Sequence, residues 1–187
     1  GQQEIDYLTE RDPKLGRMIA HFGKINREVR SNLFEQLISS IISQQISDKA
    51  AATIGERLYA LCDGEMTAAA LDRLSEEQIQ GCGMSFRKAS YLKGIAHAAH
   101  QGEIDFEKLP QMSDDEVIRA LSSLRGVGRW TAEMLLIFAL ERPDVLSFDD
   151  LGIRRGIERL HGIERIGKKE FERFRKLYSP CGTVASF

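Results

Sequence analysis

The chain is poor in cysteine and proline and has no long apolar run, and each scarcity excludes a class of protein. Its three cysteines (Cys62, Cys82, Cys181) are odd in number, widely spaced, and form no C-x-x-C pair. A disulfide framework, a Cys-rich zinc site and a four-cysteine iron–sulfur cluster are therefore not expected, and a reducing cytoplasm suits the chain. No window approaches the roughly 18 apolar residues of a membrane helix, so no membrane partner is expected. Residues 1–12 lack the basic-then-apolar order of a secretory leader. Neither charge sign dominates: the net charge is −2, which gives no global basic signal for nucleic acid. With 187 residues, 42% hydrophobic and 29% charged, the chain is not disordered and has room for one compact domain or two small lobes.

What is present is helical periodicity. Residues 32–45 place Leu33, Phe34, Leu37, Ile38, Ile41 and Ile42 at the i, i+4, i+8 spacing of a buried stripe. Further helices are expected over 47–61, 85–99 and 113–124, the last opened by a Ser113/Glu116 capping box. Others are expected over 129–140, 150–160 and 167–177, and no stretch shows the alternation of a half-buried strand. The four prolines (Pro13, Pro110, Pro143, Pro180) all fall outside these segments, as punctuation. The expected fold is all-α. An acidic stretch around Pro110 suggests one lobe over 31–110 and a second over 111–187, with residues 1–30 free to join either. Local charge is uneven: residues 151–176 carry nine Lys/Arg against four Glu. Of the four histidines, His97 and His100 are expected on a solvent-facing helix edge and none suggests a metal site.

The segment Leu124-Arg125-Gly126-Val127-Gly128-Arg129-Trp130-Thr131-Ala132 lies between two of these helices. Its G-x-G spacing permits positive φ and close backbone approach, and it presents N–H groups at a helix N-terminus, where an anion is favoured. This helix-hairpin-helix pattern grips a nucleic-acid backbone without reading bases; a plain glycine-containing turn is the alternative. Some 20 residues on, Asp149 and Asp150 precede a helix with a basic first turn. Either carboxylate would serve as an N-cap, or one would stand in a cleft to stabilise cationic character on a sugar.

The motif L-x-G-V-G-x-x-T-A, an apolar helix and then D-D-x-x-I-R-R resembles the helix-hairpin-helix, Gly/Pro…Asp superfamily of base-excision DNA glycosylases. Within it, the chain is most similar to the alkylation-repair branch, 3-methyladenine DNA glycosylase II. The stretches 12–16 with 21–23, 33–47 and 83–89 support the likeness in the family's order, so it covers nearly the whole chain. The resemblance implies two helical lobes with a DNA-binding cleft, and a monofunctional base-excision enzyme acting on alkylated purines in double-stranded DNA. It implies a cytoplasmic monomer, nucleoid-associated in a bacterium, and no required cofactor. A glycosylase for hypoxanthine or an oxidised purine, and a non-catalytic helix-hairpin-helix DNA-binding protein, are the rival readings.

Residue by residue, the resemblance assigns catalysis to Asp150 and leaves Asp149 to capping or support. Trp130 stands where bifunctional members carry lysine, so no Schiff base and no strand cleavage are expected. Trp130 and Met134 are expected to wall the base pocket, the indole face attracting electron-poor, cationic purines. Gln44, Gln45 and Met84 are expected to enter the duplex when the base is extruded, with Gln45 as the wedge. Gly126, Val127, Gly128, Arg129, Thr131, Lys88 and Arg154 are expected on the DNA backbone. A structural sodium or potassium ion is implied at the carbonyls of Ser122, Leu124 and Val127. The resemblance also implies a further aromatic-bearing helix, so the chain is expected to be cut short at its C-terminus.

Overall fold

The computed structural model describes residues 1–23 and 32–187, and among them it is all-helical. In chain order the helices are α1 (Gln2–Arg11), α2 (Pro13–Phe22), α3 (Leu33–Ser43), α4 (Asp48–Leu61), α5 (Ala68–Asp72) and α6 (Glu76–Gly81). They continue with α7 (Phe86–His100), α8 (Asp114–Ser122), α9 (Arg129–Phe138), α10 (Leu151–His161), α11 (Lys168–Tyr178) and α12 (Gly182–Ser186). The expected helices all form, and five of them start at a side-chain cap: Asn32, Ser47, Ser85, Ser113 and Asp150 each accept an amide of the following turn. The capping box of Ser113 and Glu116 closes in both directions. The helices α1, α2, α5 and α6 were not expected. A second capping box, Ser75 with Gln78, opens α6, and Asp12-Pro13 opens α2.

The chain divides into two compact units, and neither follows the expected boundaries. One unit comprises 30–135, so the expected division at Pro110 falls inside it; the boundary at 30/31 lies outside the described residues. The reason is packing. Leu109 and Ile104 are buried, and Phe106 meets Phe34 edge-on at 5.5 Å, which ties the acidic stretch to α3. The hairpin after α8 lies against α7, with Arg125 over the ring of Tyr91 at 6.0 Å. At the heart of this unit is α7, which buries Ala89, Leu92, Ile95, Ala96 and Ala98 against α3, α5 and α6. Ala99, at the end of the same helix, is half-buried. On the solvent edge of α7, Lys93, His97 and His100 converge on Asp72, with Lys93 Nζ at 2.9 Å and His100 Nδ1 at 2.9 Å. These partners hold the Asp72 carboxyl at a pKa of about 2, first through the Lys93 and then the His100 hydrogen bond.

The other unit joins 1–29 to 136–187, so the N-terminal helices belong with the chain's last third. Leu8, Leu146, Ile157, Ile166, Phe171, Tyr178 and Cys181 form its core. Asp12, almost fully buried, caps α2 through the amides of Lys14 and Leu15 and accepts the Tyr178 hydroxyl at 2.7 Å; His161 Nε2 lies 3.0 Å away. Burial pushes the Asp12 carboxyl upward in pKa, but the Tyr178 hydroxyl, the amides and the His161 charge together hold it below the usual range. This network fastens α2 to α10 and α11 through partners some 150 residues away in sequence.

Candidate active site and nucleic-acid interface

The hairpin glycines serve different ends. Gly126 has φ +89°, and a Cβ there would lie 2.4 Å from the Tyr91 ring; the fold itself requires glycine at this point. A Cβ on Gly128 would meet nothing within 4 Å, so no internal contact requires glycine there. Val127 is buried and anchors the turn, while its amide donates to the Leu124 carbonyl at 3.1 Å. Gly128 is exposed at the mouth of α9, its carbonyl accepting the Ala132 amide at 3.1 Å. The first amides of α9 lack intrahelical acceptors, and an anion at this end is favoured.

The first turn of α9 sorts the other expected residues. Arg129 is exposed and its Nε donates to Glu133 at 2.8 Å, leaving the rest of its guanidinium facing solvent. Thr131 is buried, so its side chain does not reach a backbone ligand; its position presents only the helix amide. Trp130 is 39% exposed, unusual for the chain's only tryptophan, and Met134, half-buried, lies one turn further on the same face.

In the same unit, Gln44 and Gln45 end α3 in a tight turn. Gln45 is exposed with φ +59°, a left-handed conformation that glutamine adopts only when the surroundings hold it. Lys88 supplies the hold. Its Nζ reaches from α7 to the carbonyls of Ile42, at 2.7 Å, and Gln44. Two of the three N–H donors of Lys88, a residue expected on the DNA backbone, are thus engaged at the end of α3, and burial depresses its pKa. Met84 is corrected. It is 6% exposed and packs inward, so it has no reach to an opposite strand. The exposed apolar side chain of that turn is Phe86, at 55%, which no sequence pattern singled out. The turn itself is braced by Arg57, which donates to the Cys82 carbonyl at 3.2 Å beside Gly83 at φ +110°.

In the other unit, Asp150 is half-buried at the N-terminus of α10, and its Oδ1 accepts the Ile153 amide at 3.0 Å. Capping therefore falls to Asp150 itself, while Asp149 is exposed and takes no part in the cap, contrary to expectation. Gly152 leaves the carboxylate its room, since a Cβ there would press on Asp150 Oδ1 at 3.1 Å. The loop before Asp150 is fixed from the C-terminal end: Thr183 Oγ1 accepts the Val145 amide at 3.0 Å, and Asp144 accepts the Gly182 amide at 3.1 Å. Arg154, expected on phosphate, is half-buried with its guanidinium 5.1 Å over the Phe148 ring. Among the described residues no helix is long and apolar enough to cross a membrane.

The glycine hairpin and its exposed indole lie in one unit and the Asp150 cap in the other, and comparison with known proteins gives the chain's family. Residues 38–180 match the family model of the HhH-GPD superfamily of base excision DNA repair proteins, and the chain belongs to that family. It is 33% identical over 184 residues to DNA-3-methyladenine glycosylase 1 of Schizosaccharomyces pombe, covering 96% of this chain and 81% of the relative. Among solved structures, a DNA-3-methyladenine glycosidase from Bacillus halodurans superposes with a TM-score of 0.89 at 36% identity, covering 98% of this chain and 85% of its own. The S. pombe 3-methyladenine DNA glycosylase solved in complex with abasic DNA gives a TM-score of 0.84 at 33% identity, covering 98% and 93%.

Proposed function

We propose that the chain is a monofunctional DNA glycosylase that hydrolyses the N-glycosidic bond of alkylated purines, of the 3-methyladenine kind, in duplex DNA. The observation that carries this reading is the 39%-exposed indole of Trp130, two residues past a glycine that no internal contact requires. A hairpin that only grips a backbone has no use for a solvent-facing tryptophan. A pocket for an extruded, electron-poor base does, through stacking and cation–π attraction. The names of the relatives support the same substrate class.

In this mechanism the hairpin amides of Gly128 and the first turn of α9 hold a phosphate, and Gln45 fills the space that the base vacates. Trp130 and Met134 receive the base. Asp150 stabilises the oxocarbenium character that develops on the sugar as the bond breaks, and orients the attacking water. A carboxylate about 4 Å from that charge, at an effective dielectric near 20, contributes on the order of 4 kcal/mol, roughly a thousandfold in rate. Position 130 offers no amine to attack the sugar, so the product is an intact abasic strand. On this reading the enzyme acts as a monomer.

The implied alkali ion fits the residues present. Ser122 closes α8, so its carbonyl lies beyond the last intrahelical donor, and the Leu124 carbonyl keeps a second lone pair after accepting Val127. Neutral oxygens of this kind would hold sodium or potassium, which would lend positive charge to the hairpin's grip on phosphate.

Incubation of methylated duplex DNA with the protein should release 3-methyladenine and leave strands that break only on added alkali. Release of hypoxanthine or an oxidised purine in its place would move the enzyme to another lesion. Duplex binding with no base released from any lesion would make it a non-catalytic DNA-binding protein.

A further inference from the structure

A concentrated excess of positive charge lies on α10, the helix that Asp150 caps, and on α11. Burial separates its members. Glu158 is half-buried and accepts the Ile166 amide at 2.9 Å, Glu170 is half-buried, and Glu172 pairs with Arg175 at 3.1 Å. What remains on the surface is Arg155, Arg159, Arg165, Lys168, Lys169, Arg173 and Lys176. None of these is in an ion pair among the described residues, and Glu164 is the one exposed acid of the segment left unpaired.

The cations are ordered. Lys169, Arg173 and Lys176 follow i, i+4, i+7 and form one solvent-facing stripe of α11, whose other side buries Phe171 and Tyr178. Arg155 and Arg159 repeat the i, i+4 spacing on α10. Folding alone disfavours this pattern. Like charges one turn apart repel, and Arg154, Arg155, Lys168 and Lys169 place positive charge in the first turns of their helices, against the macrodipole. Gly167 caps α11 without a side-chain hydrogen bond, and Glu170 is the single acid of that first turn against Lys168 and Lys169. A surface that served only solubility would mix the signs. An unfavourable arrangement of one sign is the mark of a surface completed by a polyanion.

We infer that the α10–α11 face is a second DNA-backbone surface, which holds phosphates of undamaged duplex and supplies lesion-independent affinity. The inference rests on the reading of the chain as an enzyme of duplex DNA. The seven helical steps from Lys169 to Lys176 rise roughly 10 Å, and successive phosphates of one strand advance about 3.4 Å along the duplex axis, so three cations meet about three phosphates. An anionic membrane fits less well: the exposed side of α11 carries no apolar residue to enter a bilayer.

The test measures binding of an undamaged duplex across a salt series. The triple variant Lys169→Gln, Arg173→Gln, Lys176→Gln should lose at least tenfold in affinity, with a log K against log salt slope shallower by about 2.7, from 0.9 per contact. Glu172→Gln should bind more tightly than the wild type. A second triple, Arg11→Gln, Lys14→Gln, Arg17→Gln, makes the same change in net charge on α1 and α2 and should leave the slope unchanged. Equal slopes for the wild type and the α11 triple, or equal losses for both triples, overturn the inference. Base release by the wild type from methylated duplex is scored separately. Its absence defeats the glycosylase reading, while diverging slopes still support the surface.

Discussion

Substituting alanine at Gly126 should destabilise the protein far more than the same change two residues on. At Gly126 the added methyl faces two penalties. A φ of +89° lies outside the regions an L-residue prefers, which costs about 1–2 kcal/mol. The new Cβ would also lie 2.4 Å from Tyr91 Cδ2 and 2.6 Å from Cγ, ring atoms near the backbone rather than a mobile tip. Overpacking of this kind costs a further 1–3 kcal/mol or so, giving about 2–5 kcal/mol in all. At Gly128 the methyl meets nothing, and the loss should stay below about 1 kcal/mol, the scale of a Gly-to-Ala change at a helix cap. Urea unfolding of both variants reads the difference directly. Duplex binding reads the complement: Gly128→Ala should stay folded yet bind DNA at least tenfold more weakly, because its methyl lies where a phosphate approaches. Equal stability of the two variants, or full DNA affinity in Gly128→Ala, refutes the assignment of separate duties to the two glycines.

Two further substitutions check other parts of the structure. Lys88→Met removes two charge-assisted hydrogen bonds to the end of α3 and should cost about 2–4 kcal/mol in urea unfolding. Its DNA-binding salt slope should not change, whereas a phosphate-binding lysine would shallow it by about 0.9; Lys88→Arg should restore part of the stability. Asp72→Asn probes acid stability. The folded pKa of about 2 lies below the ordinary 3.8, so the ionised carboxyl stabilises the fold above pH 4, and that contribution fades as the pH falls toward 2. The shift corresponds to about 2 kcal/mol at most, and less because His97 and His100 are about half exposed. The difference between wild type and variant should therefore be present at pH 7 and shrink below pH 4; a difference undiminished at pH 2.5 contradicts this origin.

The helices were legible where the sequence carries both a stripe and a cap. Asn32 before the Leu33–Ile42 stripe, and Ser113 with Glu116, specify position and start together. The short helices α5 and α6 carry too few residues to show a period, although Ser75-Glu76-Glu77-Gln78 offered a readable start. The division into units was not legible because it is set by long-range contacts. Nothing local in Asp12 announces a partner at Tyr178, and nothing in Arg125 or Gly126 announces Tyr91. The site divides the same way. The glycine hairpin and the Asp150 cap are motifs of composition and spacing, readable without the fold. Sequence shows that Lys88 is cationic and Met84 apolar, but not that the one reaches the end of α3 and the other packs inward. A lysine within a helix that could point outward to phosphate instead ends the helix beside it.

The central claim is that the charge of Asp150 drives cleavage of the sugar–base bond. Asp150→Asn isolates that charge, since asparagine caps a helix about as well as aspartate and can still accept the Ile153 amide. Single-turnover release of 3-methyladenine from methylated duplex by wild type and variant, with melting temperatures measured alongside, is the direct test. The account predicts unchanged melting, retained binding to an abasic-site duplex and a rate lower by roughly a thousandfold. A variant that melts like the wild type and releases the base at the wild-type rate contradicts it.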